Sequence, residues 1–398
     1  MKNKSNQRKC NAECNANSNT NRGESTHERI NAALNIGLIC VILIMLTAAD
    51  LWKEDRLFSK TENRVLASKP ELRWTSVLDG SFMKDYETYV TDQFVGRDRW
   101  IGVKTMADMA LQKKEINGVY LGKDDYLMER HPPEDYPEEL AGQRLTQLKE
   151  FVERWDAKVM LVPTADNILT DKLPAFAENY NQRALLDRVE ERVGKEHMID
   201  VYEALFERRD EEIYYRTDHH WTSRGAYYGY LTWADAMGEA PDTLNSPDGM
   251  ETVSEDFYGT LHSKLNIKVK PDVIEYFPHT EALPVRVVYD LRKESASFYE
   301  ESYLETKNQY GFFLDDNHAF IEIDTGVGNG RTLFMVKDSY ANCMIPLLAS
   351  HYEKLYVVDL RYMNGKLFPF MESYEPESGM DVLVLYNCVH FLEEFQYW

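Results

Sequence analysis

Two short segments of the chain contain the residue types that nucleophilic catalysis uses. The run Thr217–Trp221 places Asp218 and His220 two residues apart, and Ser339 follows an apolar run closely. A serine nucleophile needs a neighbouring base, and the base needs a carboxylate that orients it. An Asp and a His two residues apart in a turn can meet that need locally. The three residues therefore predict acyl transfer through a serine.

Each of these candidates has a structural alternative. A serine between a strand and a helix often caps the helix, which is the alternative for Ser339. His219 with Asp218 and His220 could bind a metal ion, but no separate His or Cys cluster completes such a site. We therefore predict no metal and no cofactor. Asn387 ends another predicted strand and can donate its side-chain N–H to an oxyanion, although Asn is also common in turns.

Alternating strands and helices must position these residues. Amphipathic spacing favours helices, and short apolar runs favour buried strands. The predicted helices cover 138–155, 179–194, 225–237 and 342–352, and the predicted strands cover 158–163, 197–201, 331–336, 354–360 and 380–386. This alternation predicts a parallel sheet flanked by helices, with its site at the carboxyl ends of the strands.

The N-terminal part of the chain predicts a membrane anchor. Residues 1–29 carry six basic and three acidic side chains and are predicted to be a disordered cytoplasmic tail. Residues 30–49 are uncharged, and about 20 apolar residues in a helix span the roughly 30 Å hydrocarbon core. A cleaved signal peptide is the alternative. The basic excess before the anchor predicts a single-pass protein with a cytoplasmic N-terminus and an extracellular main part.

The region between anchor and sheet is predicted to hold smaller elements. Residues 50–136 form a linker followed by a helical stretch at 80–115 and a hairpin at 118–128. The α/β domain then covers 137–398. Within it, the polar and irregular segment at about 245–330 is rich in strand-forming residues and predicts a β-rich insertion.

Charge and cysteine content narrow the function classes. The formal net charge is −22, which argues against nucleic acid because a phosphate-binding surface must be basic. Cys10 and Cys14 lie in the tail and Cys40 lies in the apolar run. Cys343 and Cys388 remain in the main part, where they either pair or stay as free buried thiols.

The segment Asp218-His219-His220-Trp221 is the DHHW motif that names a family of bacterial surface proteins. The chain resembles the alginate O-acetylation proteins of the AlgJ and AlgX type, which are circularly permuted SGNH hydrolases. Ordinary SGNH enzymes place a Gly-Asp-Ser block before the Asp/His block, whereas here the Asp/His block precedes the serine. Lys337–Tyr340 resembles the nucleophile block, although Lys337 replaces the usual glycine.

This resemblance implies a role for each catalytic candidate. Ser339 would be the nucleophile that carries the acyl group, His220 the general base and then acid, and Asp218 the residue that orients His220. The Ser339 N–H and Asn387 would form the oxyanion hole. The implied fold is an SGNH-hydrolase-like, circularly permuted α/β domain at 137–398, behind one N-terminal transmembrane helix.

The resemblance also implies a function and partners. His219, Trp221 and Tyr340 would support the site or contact substrate. The implied reaction is O-acetyl transfer to a cell-surface or exported polysaccharide, with a membrane-bound O-acyltransferase as acetyl donor. A polysaccharide acetyl esterase would use the same residues, because only the second nucleophile differs. An anchored glycan-binding scaffold without catalysis is the third possibility, and the lysine at position 337 gives it some weight.

Overall fold

The computed structural model describes residues 29–50, 52–59, 64–374 and 379–396. The described residues fall into two compact units, one within Met1–Ser59 and Val65–Arg97 and the other within Lys60–Arg64 and Asp98–Trp398. The predicted disordered tail, with Cys10 and Cys14, lies outside the described residues except for Arg29.

The first unit contains the predicted anchor. The helix Arg29–Asp50 has a mean hydropathy of 2.5 over its most apolar window and none of that window is buried. By length and composition it can cross a membrane, a property that N-terminal signal sequences share. Two further helices, Trp74–Leu78 and Ser81–Gln93, belong to the same unit.

The helical stretch predicted at 80–115 is two helices. Ser81–Gln93 ends where Phe94 adopts extended backbone angles, and Gly96 takes a φ of +67° before Arg97–Ala110 begins. Glycine adopts a positive φ at no steric cost, which explains the break.

A small antiparallel sheet precedes the main domain. Two short strands, β1 (Phe58–Ser59) and β2 (Arg64–Val65), pair earlier in the chain. The small sheet itself consists of β3 (Glu115–Ile116), β4 (Val119–Leu121) and β5 (Leu127–Glu129). The hairpin predicted at 118–128 is confirmed, because β4 and β5 pair antiparallel.

A seven-stranded sheet organises the main domain. The remaining strands are β6 (Lys158–Val162), β7 (Glu251–Phe257), β8 (Asp272–Tyr276), β9 (Arg286–Tyr289), β10 (Lys293–Ser295), β11 (Phe320–Asp324), β12 (Thr332–Lys337), β13 (Lys354–Val358) and β14 (Asp381–Asn387). The order in the central sheet is β10-β9-β11-β13-β12-β14-β6. The last four neighbours run parallel, whereas β9, β10 and β11 are antiparallel. The sheet is thus mixed rather than wholly parallel, because the segment 245–330 adds three strands to it.

Helices and short turns surround this sheet. The α-helices of the main domain after Arg97–Ala110 are Glu138–Trp155, Ala165–Ile168, Gln182–Val193, Tyr202–Phe206, Ser223–Met237, Thr260–Leu265, Ile345–Leu348, Leu367–Tyr374 and Cys388–Glu394. The 3₁₀ turns are Pro133–Asp135, Thr170–Lys172, Pro247–Gly249, Pro278–Ala282, Glu301–Glu305, Gln309–Phe312, Ser339–Cys343 and Ala349–His351.

The core lies on both faces of the central sheet. Along β12, Leu333 and Met335 pack into one buried cluster and Phe334 and Val336 into the other. Side chains alternate between the two faces of a strand, so a strand covered on both sides reads as a continuous apolar run. The predicted helix Glu138–Trp155 has the predicted bounds and packs on the second cluster.

Two predicted elements are wrong. The strand predicted at 197–201 is a single isolated bridge between Met198 and Val159. The helix predicted at 342–352 is a series of short turns, Ser339–Cys343, Ile345–Leu348 and Ala349–His351. Pro346 lies inside this stretch, lacks an N–H and restricts the residue before it, so a continuous helix cannot pass through. Ser339 therefore begins a 3₁₀ turn and not a regular helix.

Candidate active site

The loop that carries Asp218 is held at its base by one buried carboxylate. Asp272 accepts the N–H of Arg216 at 2.8 Å, the N–H of Thr217 at 2.8 Å and the hydroxyl of Thr217 at 2.6 Å. A bridge between Tyr214 and Trp221 closes the loop into a narrow hairpin. These contacts fix where the segment between them points.

The Asp218–His220–Ser339 side chains form one continuous hydrogen-bonded chain. His220 Nδ1 lies 2.5 Å from Asp218 Oδ1, and His220 Nε2 lies 2.8 Å from Ser339 Oγ. All three residues are at most 5% exposed. The fold thus brings together the three predicted residues across 119 positions of sequence, in the geometry in which a histidine can deprotonate a serine.

Asp218 is held as a carboxylate by its surroundings. Its Oδ2 accepts the N–H of Thr260 at 2.8 Å and the Thr260 hydroxyl at 3.0 Å, while Oδ1 also accepts the backbone N–H of His220 at 3.1 Å. Burial alone would raise the pKa of Asp218, but the imidazoles of His219 and His220 and these hydrogen bonds hold it below its ordinary value. An ionised Asp218 keeps the Nδ1 proton on His220 and leaves Nε2 free to accept one.

Ser339 is positioned by the turn that follows β12. Asp338 caps this turn by accepting the N–H of Tyr340 at 2.9 Å through Oδ1, and its Oδ2 accepts the N–H of Asn387 at 2.9 Å. The N–H of Ser339 donates to no acceptor in the described part of the chain. It is therefore available to a negative oxygen that forms beside the serine.

An aromatic ring, that of Tyr310, lies flat against the ring of His220. The Tyr310 and His220 rings are 3.8 Å apart and inclined by 12°, and the Tyr310 hydroxyl lies 3.1 Å from the carbonyl oxygen of Ser339. The face of an aromatic ring attracts a cation, so Tyr310 favours the imidazolium that forms when His220 takes a proton. Sequence reasoning missed Tyr310, because it lies in the irregular segment that gives no periodic signal.

The other predicted neighbours support the loop. Trp221 is fully buried and its Nε1 donates to the carbonyl oxygen of Tyr340 at 2.8 Å. Tyr340 is also fully buried and its hydroxyl donates to the carbonyl oxygen of His219. Neither ring has a surface for a substrate. His219 Nδ1 lies 2.9 Å from the Thr260 hydroxyl, and burial together with His220 lowers the pKa of His219 to about 3, so it is neutral.

Asn387 caps a helix with the side chain that was predicted to serve the oxyanion. Its Oδ1 accepts the N–H of Val389 at 2.9 Å and the N–H of His390 at 2.8 Å, at the start of the helix Cys388–Glu394. Asn387 lines a small pocket next to Met128 and does not line the cavity that contains Ser339. The contacts of Asn387 thus favour the capping role, and its oxyanion role stays a prediction.

Lys337 contacts buried polar groups and does not itself line the cavity of Ser339. It is fully buried, its Nζ lies 2.8 Å from Asn342 Oδ1 and 3.5 Å from Asp359 Oδ2, and burial lowers its pKa. Lys337 therefore belongs to a buried ionic cluster. Cys343 and Cys388 are both buried free thiols, so they do not pair.

Ser339 opens onto a polar cavity of about 380 Å³. Small-molecule sites commonly fall in this range. Besides the triad, the cavity is lined by hydrogen-bonding and basic side chains, among them Lys307, Asn308, Asn317, Arg361 and His390. A larger groove of about 760 Å³, around Glu211 and Glu275, contains none of the triad.

The contacts of Asp218, His219 and His220 fit a metal site less well than they fit a serine–histidine–aspartate site. Asp218, His219 and His220 offer ligand atoms within 4.8 Å of one another. However, His220 already uses Nδ1 for Asp218 and Nε2 for Ser339, and Asp218 uses both oxygens for hydrogen bonds. A metal at this position would have to break these contacts.

A buried serine, histidine and aspartate lie in hydrogen-bonding contact beside a mixed α/β sheet, an arrangement that can support nucleophilic chemistry through the serine. A model of the DHHW protein family matches residues 145–358. Because this span is more than half of the sequence, the chain belongs to the DHHW family, as its motif predicts.

Solved structures are similar to this chain at low sequence identity, and those with a TM-score above 0.5 share its fold. A DHHW family protein from Eubacterium siraeum is 23% identical, with a TM-score of 0.58 over 70% of this chain and 93% of that chain. Bacillus cereus PatB1 with a sulfonyl adduct is 18% identical, with a TM-score of 0.53 over 69% and 97%. The O-acetyltransferase domain of Pseudomonas putida AlgJ is 14% identical, with a TM-score of 0.43 over 71% and 94%. No curated protein matches the chain.

Proposed function

We propose that this protein transfers acetyl groups to a cell-surface or exported polysaccharide through an acetyl ester on Ser339. The observation that carries the proposal is the unbroken chain of hydrogen bonds from Asp218 through His220 to Ser339, open to a cavity. Membership of the DHHW family supports it. The order of the Asp/His and serine blocks supports a circularly permuted SGNH domain.

The first half of the reaction loads the enzyme. Ser339 Oγ attacks the acetyl carbonyl of the donor while His220 Nε2 takes its proton, and the carbonyl oxygen becomes an oxyanion that the Ser339 N–H binds. The intermediate collapses, the bond to the donor's leaving group breaks, and His220 gives that group the proton. Asp218 stabilises the imidazolium in between.

The second half passes the acetyl group on. A sugar hydroxyl attacks the Ser339 ester and His220 takes the hydroxyl proton. When the second tetrahedral intermediate collapses, the bond between the acetyl carbon and Ser339 Oγ breaks and His220 returns the proton to Ser339 Oγ. Asn308, Asn317, Arg361 and Lys307 line the cavity and offer the hydrogen bonds that sugar hydroxyls use. Water in place of the sugar would make the same site an esterase.

Location and partner complete the proposal. The helix Arg29–Asp50 would anchor the chain, with the 1–29 tail in the cytoplasm and the 137–398 domain outside. The donor would be a membrane-bound O-acyltransferase that presents acetyl groups on the outer side. The segment 50–136 would connect anchor and domain.

The proposal is tested with the full chain in detergent and p-nitrophenyl acetate. We expect nitrophenol release and an added acetyl mass on Ser339 in the wild type, and loss of both in Ser339→Ala and His220→Ala. Ser68→Ala and His279→Ala, at exposed positions, are the matched controls. An oligosaccharide acceptor then separates the activities, because a transferase makes acetylated sugar and an esterase makes acetate. Full acylation in Ser339→Ala would disprove the proposal.

A further inference from the structure

A second imidazole, that of His390, lines the cavity that contains Ser339. His390 lies in the helix Cys388–Glu394, directly after β14, which is the parallel neighbour of β12. Its ring lines the same cavity as Ser339 and is about one fifth exposed. The strand ends of β12 and β14 open at the same edge of the sheet, so the turn of Ser339 and the start of this helix are adjacent.

The orientation of this imidazole is set by a buried carboxylate. His390 Nδ1 lies 2.9 Å from Oδ2 of Asp338, which is fully buried and directly precedes Ser339 in the chain. The opposite ring nitrogen, Nε2, has no hydrogen-bond partner among the described residues. Asp338 therefore fixes the ring through Nδ1. When the ring is protonated, the Nε2–H is free to donate a hydrogen bond.

The groups around His390 favour its charged form. Burial works against the charge, but the hydrogen bond and the negative charge of Asp338, joined by Glu394, raise the pKa of His390 above its ordinary value. Arg361 opposes them, and the neutral His219 ring packs 5.8 Å away. Further titratable groups line the same two pockets as His390: Glu129, His131 and Asp166 in the small one, His220, Lys307 and Asp316 in the Ser339 cavity, and Asp218 in both.

We infer that His390 is a further catalytic residue, whose Nε2–H binds the oxyanion formed on the acyl carbonyl beside Ser339. The inference rests on the proposed function. It supplies a second oxyanion donor from a residue that lines the Ser339 cavity, which Asn387 does not line. An N–H donor held by a buried carboxylate is already oriented before the negative charge develops.

Two substitutions separate this role from a structural one. In His390→Asn the short amide can keep the hydrogen bond to Asp338 but does not reach the cavity. In His390→Gln the longer amide can place an N–H near the position of Nε2. If His390 binds the oxyanion, the acylation rate of Ser339 by p-nitrophenyl acetate falls about 10²-fold in His390→Asn and less than about 10-fold in His390→Gln. If Asp338 merely needs a hydrogen-bond donor at position 390, His390→Gln loses more of the acylation rate than His390→Asn does. That result would overturn the inference.

The pH profile gives a second readout. A cationic donor is present below the pKa of His390 and is lost above it, so wild-type acylation should decline on the alkaline side. His390→Gln should lack this decline, since its amide does not titrate. Identical alkaline limbs in the two proteins would contradict the inference, provided both retain the wild-type melting temperature.

A third readout does not depend on turnover. Sodium acetate, a small anion of the right shape, is added to full-length protein that carries ¹⁵N-labelled histidine, and the His390 ring resonances are followed. The His390 signals are assigned by their absence from the spectrum of His390→Asn, and we expect them to shift saturably with acetate in the wild type. The absence of any shift in the wild type would overturn the inference even if Ser339 proved not to be acylated, so its failure is distinct from failure of the proposed function.

Discussion

Gly259 lies so close to Asp218 that a Cβ built on this glycine would be 2.3 Å from the Asp218 Oδ2. Its φ is −81°, a value that any residue adopts, so space and not backbone conformation requires the glycine. The missing side chain lets the next residue, Thr260, bring its N–H and hydroxyl to the carboxylate.

We expect Gly259→Ala to lower kcat for ester hydrolysis by about 10- to 100-fold, because a displacement of about 1 Å at a catalytic group has effects of this size. The carboxylate must move, and the orientation of His220 moves with it. Gly142→Ala is the control, since a Cβ at this helical glycine meets nothing within 4 Å. Equal kcat in Gly259→Ala and wild type would show that the carboxylate has room to adjust.

The role of the Tyr310 ring, which stacks on His220, can be tested with one variant that keeps an aromatic ring and one that does not. Tyr310→Phe keeps the aromatic face and loses only the hydroxyl, so we expect kcat within about 3-fold of the wild type. Tyr310→Leu removes the face that favours the imidazolium and should lower kcat by about 5- to 30-fold, corresponding to a cation–π contribution of about 1–2 kcal/mol. Steady-state kinetics on p-nitrophenyl acetate measure both. A leucine variant as active as the phenylalanine variant would count against the electrostatic role.

Asp272 should make stability depend on pH. Burial raises the pKa of this carboxyl to about 6 from its ordinary value of 3.8. Because this pKa is raised in the folded state, the stability that Asp272 contributes to the fold is fully present below about pH 4. It is lost as the pH rises through about 6. A difference of about 2 pH units corresponds to about 3 kcal/mol in the free energy of unfolding.

Urea unfolding of wild type and Asp272→Asn between pH 4 and 7 measures this contribution. We expect the wild type to lose stability relative to the variant as the pH rises, because the asparagine does not titrate. A constant difference between the two proteins across this range would show that Asp272 does not titrate there.

The buried lysine beside the nucleophile should matter for folding more than for chemistry. Lys337 and Asp359 are both fully buried, and Asp359 also binds the Arg361 guanidinium at 2.7 Å. Lys337→Met removes one of two cations, so we expect a loss of about 1–3 kcal/mol of stability, less than for breaking an isolated buried pair. Acylation of Ser339 should stay within about 3-fold at a temperature where the variant is folded. A large kinetic loss in a stable variant would assign Lys337 to the site.

The three residues that the structure brings together at the candidate site were more predictable than the residues around them. Asp218 and His220 could be found because they are two residues apart, and Ser339 because it follows a strongly apolar strand. Tyr310 and Gly259 could not be found, because their roles arise from contacts between segments that have no regular spacing. The strand predicted at 197–201 shows the same limit, since an apolar run does not say whether a neighbouring strand will pair with it.

Asn387 illustrates that the place of a residue in a strand is more predictable than its contacts. Its place at the end of β14 was predicted. The position in the strand does not determine whether the backbone N–H groups of the next helix will donate hydrogen bonds to its side chain. Two N–H groups of the next helix take its carbonyl oxygen. The adjacent His390, which no motif singled out, is the residue that lines the Ser339 cavity.

The position of β14 in the sheet affects how the protein is made. This strand is the last in the described chain, yet it lies between β6 and β12 and joins the early and late parts of the sheet. A chain emerging from the ribosome therefore cannot complete its central sheet until β14 has been made. His220 and Ser339 are 119 positions apart, so the hydrogen bond between them can form only after the chain extends past Ser339.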